Sequence, residues 1–405
     1  MTISQLARDL HESATLRLNK TALTLKELGQ PLIHLGGGEP KTKIPMDAVR
    51  AASAKLTSAE VRYTPEDGTP ELKKAIIRYT EEHYEKEINP ENIIASNGAK
   101  QSISILMQTL LNPQDEVVIP VPYWVSYPDM AKICYATPVL VKPEDGRFTP
   151  RMEDIEAAVT SYTKIIVINS PNNPSGAVYP EKFIKDIIEF SEKKGIYLVM
   201  DDIYNRLVFD GKKPISPFEY STENMDRSHL IVINGISKIY AMTGFRLGWA
   251  VANPEIIQAM AKIQGHTTSC PSAVTQAAAV GALNGIQSGV ESLRLTLENN
   301  RNVLMSELES FDGIHIIKPE GTFYSFPDFS TYNKDSVALS NYLLDKVRVV
   351  TVPGKDFGMD GHLRISFCGS IKDIREGMAR IKWALDPNSP NEIFIGERRL
   401  VRDWM

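Results

Sequence analysis

Cysteine is scarce in this sequence: three in 405 residues, Cys134, Cys270 and Cys368, scattered and odd in number. Such spacing makes neither a disulfide framework nor a zinc site, and reduced thiols in a cytoplasmic protein are expected. The seven histidines form no HxxxH or HxxE pair, so a catalytic metal is not expected. Apolar runs never exceed strand length, which argues against a membrane-spanning helix. The first residues, Met1 to Gln5, carry no basic stretch leading into an apolar one, so no secretory leader is expected. An excess of basic charge is also missing: 45 Lys and Arg against 50 Asp and Glu leave a net charge of -5. General affinity for nucleic acid or an anionic membrane is thereby excluded, and any anion site has to be built locally. No internal repeat, low-complexity segment or strand–GxGxxG–helix fingerprint is present.

What is present fits a soluble globular chain, 42% apolar and 23% charged, long enough for two domains. Residues 1–34 read as an amphipathic helical arm, followed by Leu35-Gly-Gly-Gly-Glu-Pro40. Those glycines either let backbone approach a ligand or simply carry the chain between domains. Thr69 and Pro70 read as N-cap and first residue of a helix. Tyr63 just before it reads as a half-buried aromatic.

From residue 92 short apolar runs alternate with helical stretches. The runs are Ile93–Ser96, Val117–Ile119, Pro138–Val141, Ile165–Ile168, Tyr197–Met200 and Leu230–Ile233. Between them, 180–193 places Phe183, Ile184, Ile187 and Ile188 on one helix face. The expectation is an α/β fold: a large domain with a mostly parallel sheet covered by helices on both faces. Residues 270–310 read as one long connecting helix. A smaller α+β domain follows, with strands near 314–317, 323–326, 347–352 and 363–366 and helices at 334–346 and 371–385. The boundaries expected are 1–44 for an arm joining the small domain, 45–285 for the large domain, 286–386 for the small domain and 387–405 for a tail.

Ligands in such sheets sit beyond the carboxyl ends of the strands. There the sequence places Asn97-Gly98-Ala99-Lys100, Tyr123-Trp124, Asn169 to Gly176 with Asn173, Asp201-Asp-Ile-Tyr204, and Ser237-Lys238. A lysine leaving a buried strand has an amine whose pKa burial depresses, fitting it as a nucleophile toward an aldehyde. Arg246, eight residues on, offers a planar fork for a phosphate. The opening of a helix at Gly98 and Ala99 is a second phosphate seat. One cofactor carries both groups: pyridoxal 5′-phosphate. Each residue also has a plain alternative: Trp124 as core, Asn173 in a turn, Asp201 as a cap, Lys100 as a solvated helix-start lysine. Arg364, mid-strand between apolar neighbours, requires either an anionic ligand or a structural ion pair.

Together these residues resemble the class I (fold type I) pyridoxal-phosphate aminotransferases of the aspartate aminotransferase family. The likeness runs from about Leu16 to Leu385 and rests on Asn169–Gly176, Asp201–Tyr204, Ser237-Lys238 with Met242–Gly248, and Arg364. It implies that Lys238 is the Schiff-base lysine and proton shuttle, and Asp201 the partner of the pyridine nitrogen. Tyr204 and Asn173 would donate to the phenolic oxygen. Arg246, Gly98 and Ala99 would hold the phosphate, Ser237 and Lys100 would also touch the cofactor, and Trp124, stacked on the ring, would with Asn173 also border the substrate. Gly38 and Arg364 would bind the substrate α-carboxylate, and Lys100 a distal carboxylate. Tyr63 would reach the neighbouring subunit's phosphate in a homodimer with shared sites. The implied reaction moves the amino group of aspartate to 2-oxoglutarate in a ping-pong cycle. Prephenate or an aromatic amino acid is the alternative, then a β-lyase or a non-catalytic sensor of the same fold. Two departures stand out. Gly235 replaces a common hydroxyl residue near the phosphate, and Asp202 and Asn205 replace glutamates.

Overall fold

The computed structural model describes residues 3–10, 14–144, 146–395 and 398–401. The N-terminal arm carries the helix Ala14–Glu27 and ends in a two-residue strand, β1 (Ile33–His34). Seven further strands build one sheet: β2 (Ile93–Ser96), β3 (Glu116–Pro120), β4 (Thr137–Val141), β5 (Thr163–Asn169), β6 (Tyr197–Asp201), β7 (Leu230–Gly235) and β8 (Gly248–Val251). Their order is β2-β8-β7-β6-β5-β3-β4. All pairs are parallel except those of β8, which runs antiparallel to both β2 and β7. The expected α/β architecture is therefore found. All six expected strands are present; β8 is the addition, a run of only four residues directly behind Arg246.

Burial explains the composition. Every residue of β2 and β7 is buried, as a sheet covered on both faces requires. The helix Glu181–Lys194 buries Phe183, Ile184, Ile187 and Ile188 and stops at Gly195, whose φ of +66 suits glycine. Thr69 caps the helix Pro70–Tyr84 by accepting the Leu72 N–H.

The stretch 270–310 departs from the expectation of one helix. It forms two, Ala273–Asn284 and Ser288–Leu308, with Gly285 extended between them. The Gln287 amide donates to the carbonyls of Ala282 and Gly285, satisfying groups the break exposes.

Beyond them lie β9 (Tyr324–Ser325), β10 (Val349–Val350), β11 (Val352–Pro353) and β12 (Leu363–Ser366). β12 pairs with β11 and β9, while β10 pairs with β1 of the arm. The strand expected at 314–317 is only an isolated bridge between His315 and Asp328. The run 347–352 is divided, because Val347 ends the helix Ser336–Val347 and Arg348 takes φ +58 before β10 begins. The tail forms an antiparallel hairpin, β13 (Glu392–Ile395) with β14 (Arg398–Val401); its residues 396–397 and 402–405 lie outside the described residues. No helix among the described residues is long and apolar enough to cross a membrane.

Candidate active site

The carboxyl ends of β2, β5, β6 and β7 open onto one cavity of ≈ 460 Å³, closed on its far side by β12 and the glycine loop after β1. Gly38, Ala99, Lys100, Trp124, Asn173, Asp201, Tyr204, Ser237, Lys238, Arg246 and Arg364 all line it. Gly98 adjoins it through Arg246. Among the site residues expected from sequence, Tyr63 alone lies elsewhere. It is 89% exposed rather than half-buried, because it sits in the extended segment before Thr69 with no core behind it.

Lys238 follows β7 through the turn Ile236-Ser237. Its Nζ donates to the Gly38 carbonyl at 2.7 Å. Burial, and then the positive charge of Arg364, lower its pKa to about 8. Asp201 ends β6 and is 5% exposed. Tyr127 Oη donates to its Oδ2 at 2.5 Å and the Ile203 N–H to its Oδ1 at 3.4 Å, while Asn169 Nδ2 holds its backbone carbonyl at 2.8 Å. Burial nevertheless raises its pKa to about 6, so the carboxylate is ionised at neutral pH yet ready to pair with a cationic N–H. Burial pushes the Tyr204 phenol well above its ordinary value, keeping it a neutral donor.

Arg364, 2% exposed in β12, has no carboxylate within ion-pair distance among the described residues. The structural ion pair left open by the sequence is absent among the described residues. Its Nη1 instead donates to Asn173 Oδ1 and its Nη2 to the Gly36 carbonyl, both at 3.0 Å. Nε has no partner. The guanidinium is thus buried with its charge facing only neutral acceptors among the described residues.

Opposite it, the helix Ala99–Leu110 opens onto the cavity with Gly98 at φ +91. A β-carbon at Gly98 would stand 2.4 Å from Arg246 Nη2, so the absent side chain is what admits the guanidinium. Arg246 itself is exposed, tethered to the Thr243 carbonyl at 2.9 Å. Lys100 Nζ lies 4.8 Å from the centre of the Trp124 ring. Lys100 is exposed, as the plain reading of a helix-start lysine expects, and partial desolvation and the charge of Arg246 lower its pKa.

Gly235, the first departure, has a packing cause: a β-carbon there would meet the Leu247 carbonyl at 2.8 Å across the β7–β8 pair. Asp202 and Asn205, the second, accept hydrogen bonds from Tyr84 and Tyr79 of the helix Pro70–Tyr84 at 2.8 and 3.1 Å. Sequence reasoning missed Tyr127 and Tyr324. Tyr127 had a signal, lying three residues past Trp124 at the start of a helix, so its ring meets that indole edge-on at 5.2 Å. Tyr324 had none, because its place depends on the pairing of β9 with β12.

A family model described as aminotransferase class I and II matches residues 30–381. An aspartate aminotransferase of Bacillus sp. (strain YM-2) is 36% identical over 380 residues, covering 92% of this chain and 96% of its own. A protein of Aquifex aeolicus named probable aspartate/prephenate aminotransferase is 37% identical, covering 93% and 97%. Among solved structures, the aspartate aminotransferase from Thermus thermophilus with maleate superposes with a TM-score of 0.89 at 34% identity, covering 94% of this chain and 98% of that one.

Proposed function

We propose, since the chain belongs to the class I and II aminotransferase family, that it moves the amino group of aspartate to 2-oxoglutarate with pyridoxal 5′-phosphate as cofactor. The observation that carries this reading is the convergence of a lowered-pKa lysine, a buried carboxylate and an unpaired arginine on one cavity. The donor set fits the cofactor. Gly98, Ala99, Ser237 and Arg246 offer a cradle for its phosphate, Asp201 a carboxylate for its ring nitrogen, and Tyr204 and Asn173 polar groups for its phenolic oxygen. When bound, the cofactor supplies an aldehyde to take up the amino group and a ring to accept electrons released at the substrate Cα.

The chain's residues do the rest. Arg364 takes the α-carboxylate in a planar, bidentate grip that orients the Cα–H bond. The Lys238 amine removes the Cα proton and later returns one, a positioned-base contribution of roughly 10²–10⁴-fold. Asp201, ionised, keeps the ring nitrogen's proton in place. Trp124 covers one side of the cavity and limits water. Purified protein loaded with pyridoxal phosphate should lose its visible band on adding aspartate and recover it with oxaloacetate; a band indifferent to aspartate would overturn the assignment.

Lys100 is the group we assign to the distal carboxylate of a dicarboxylic substrate, since a cation at a helix start opposes the dipole unless an anion meets it. Replacing it by alanine should raise the KM for aspartate about tenfold or more, the worth of a charge-assisted bond, and leave that for an uncharged amino acid nearly unchanged. Equal effects on both would favour the aromatic or prephenate alternative. Gly98→Ala should weaken pyridoxal phosphate binding to the cofactor-free protein by about tenfold, because the left-handed backbone and Arg246 both resist a methyl group. Equilibrium titration of the visible band measures it.

The same reading divides the chain into arm, large domain, small domain and tail at the boundaries expected from sequence, supported by the β1–β10 pairing that ties the arm to the C-terminal part. It also makes the protein a cytoplasmic homodimer, and the 89% exposure of Tyr63 is what a residue reaching a neighbouring subunit requires.

A further inference from the structure

Tyr324 touches three functional groups at once. In the antiparallel pair of β9 and β12 it lies opposite Ser366, which makes it the diagonal neighbour of Arg364 on the same face. Its ring centre is 4.3 Å from the Arg364 guanidinium carbon, and that of Phe357 is 5.1 Å from the same atom. Its ring meets that of Tyr204 edge-on at 6.2 Å, and each phenol acts on the other's protonation. Its hydroxyl oxygen would stand 2.9 Å from a β-carbon at Gly38, whose carbonyl holds Lys238.

We propose that Tyr324 is a positioning residue of the transamination site, its ring setting the plane of Arg364 and its hydroxyl reinforcing Tyr204 as a donor. The inference rests on the function proposed above. A guanidinium packed against two rings is restrained from tilting about its stem, and the rings contribute no in-plane acceptor. The bonds to Asn173 and Gly36 then fix its rotation within that plane. What remains free is an in-plane edge for a carboxylate. Tyr324 is buried, so water does not compete for these contacts.

The hydroxyl has a separate task. Either phenol can donate to the other. Once Tyr204 gives its proton to an oxygen in the cavity, Tyr324 becomes the donor to Tyr204 and polarises it further. Without that support Tyr204 stabilises negative charge on the cofactor's phenolic oxygen less well, and the visible band should titrate at a higher pH.

Two variants separate the ring from the hydroxyl, each loaded with pyridoxal phosphate and assayed for the pH midpoint of the visible band and for the KM of aspartate. Tyr324→Phe keeps the ring. Its KM should stay within about twofold of the parent, while the midpoint rises by about half a pH unit or more, the scale of one hydrogen bond. Tyr324→Leu removes both; it should show the same midpoint shift and a KM raised about tenfold, so that phenylalanine rescues binding but not titration. An unmoved midpoint in Tyr324→Phe, or an unchanged KM in Tyr324→Leu, overturns the proposal. Should the leucine variant fail to fold, the phenylalanine midpoint decides alone. Parent protein that takes up no pyridoxal phosphate overturns the underlying function instead.

Discussion

Lys238→Ala is expected to abolish transamination, lowering kcat by about 10⁴-fold, at the upper end of what a positioned base contributes. The loss should come without unfolding. Lys238 makes one hydrogen bond, to the Gly38 carbonyl, and no ion pair among the described residues, so its charge is a burden on the buried site. Thermal unfolding of the cofactor-free variant should match the parent or exceed it. The pH dependence of the parent gives a second measurement. The folded pKa is lowered to about 8, so the neutral, nucleophilic amine is scarce well below that pH and dominant above it. At pH 7 about one Lys238 in ten is neutral, against roughly one in three thousand for an ordinary lysine. Uptake of pyridoxal phosphate by the cofactor-free protein, trapped with borohydride, should therefore rise about tenfold per pH unit below 8 and level off above it. Label on another lysine after digestion, or a rise continuing past pH 10, would remove Lys238 from its role.

Arg364→Leu should lower kcat/KM for aspartate by about 10²–10³-fold, corresponding to roughly 3–4 kcal/mol for the loss of a buried, bidentate charge contact. The reasoning lies in what surrounds the side chain. Asn173, the Gly36 carbonyl and two aromatic faces orient the guanidinium but do not neutralise it. An anionic ligand would. Arg364→Lys keeps the charge and loses the fork, so it should recover part of the activity and no more than part. Stability supplies the control, since a structural arginine would cost several kcal/mol on removal, whereas one held ready for a ligand should cost little. A leucine variant with near-parental kcat/KM would refute the assignment. Arg364 would then be a buried charge with a merely structural purpose.

The strands were legible because their apolar runs are long and rich in Val and Ile, and a sheet covered on both faces admits little else. Residues at their carboxyl ends were legible for the same reason: Lys238, Asp201 and Asn173 each follow such a run within a few positions. Less visible was structure made by pairing rather than by pattern. β8 is four residues long and antiparallel; Gly235 lets it close on β7, and Gly248 lets the Gly98–Ala99 backbone pack against it. The helix break at Gly285 needed Gln287 to cap it. Strands of two residues, such as β9 and β11, carry no period at all.

By itself the amino-acid sequence determined the α/β architecture and the place of Lys238, Asp201 and Asn173 at or just beyond its strand ends, because burial demands runs that period and composition reveal. Only the tertiary structure decided that Arg364 is unpaired rather than bridged, that Tyr127 bonds Asp201, and that Tyr324 joins Arg364 to Tyr204. Those facts depend on contacts between residues far apart in the chain, which no local spacing encodes.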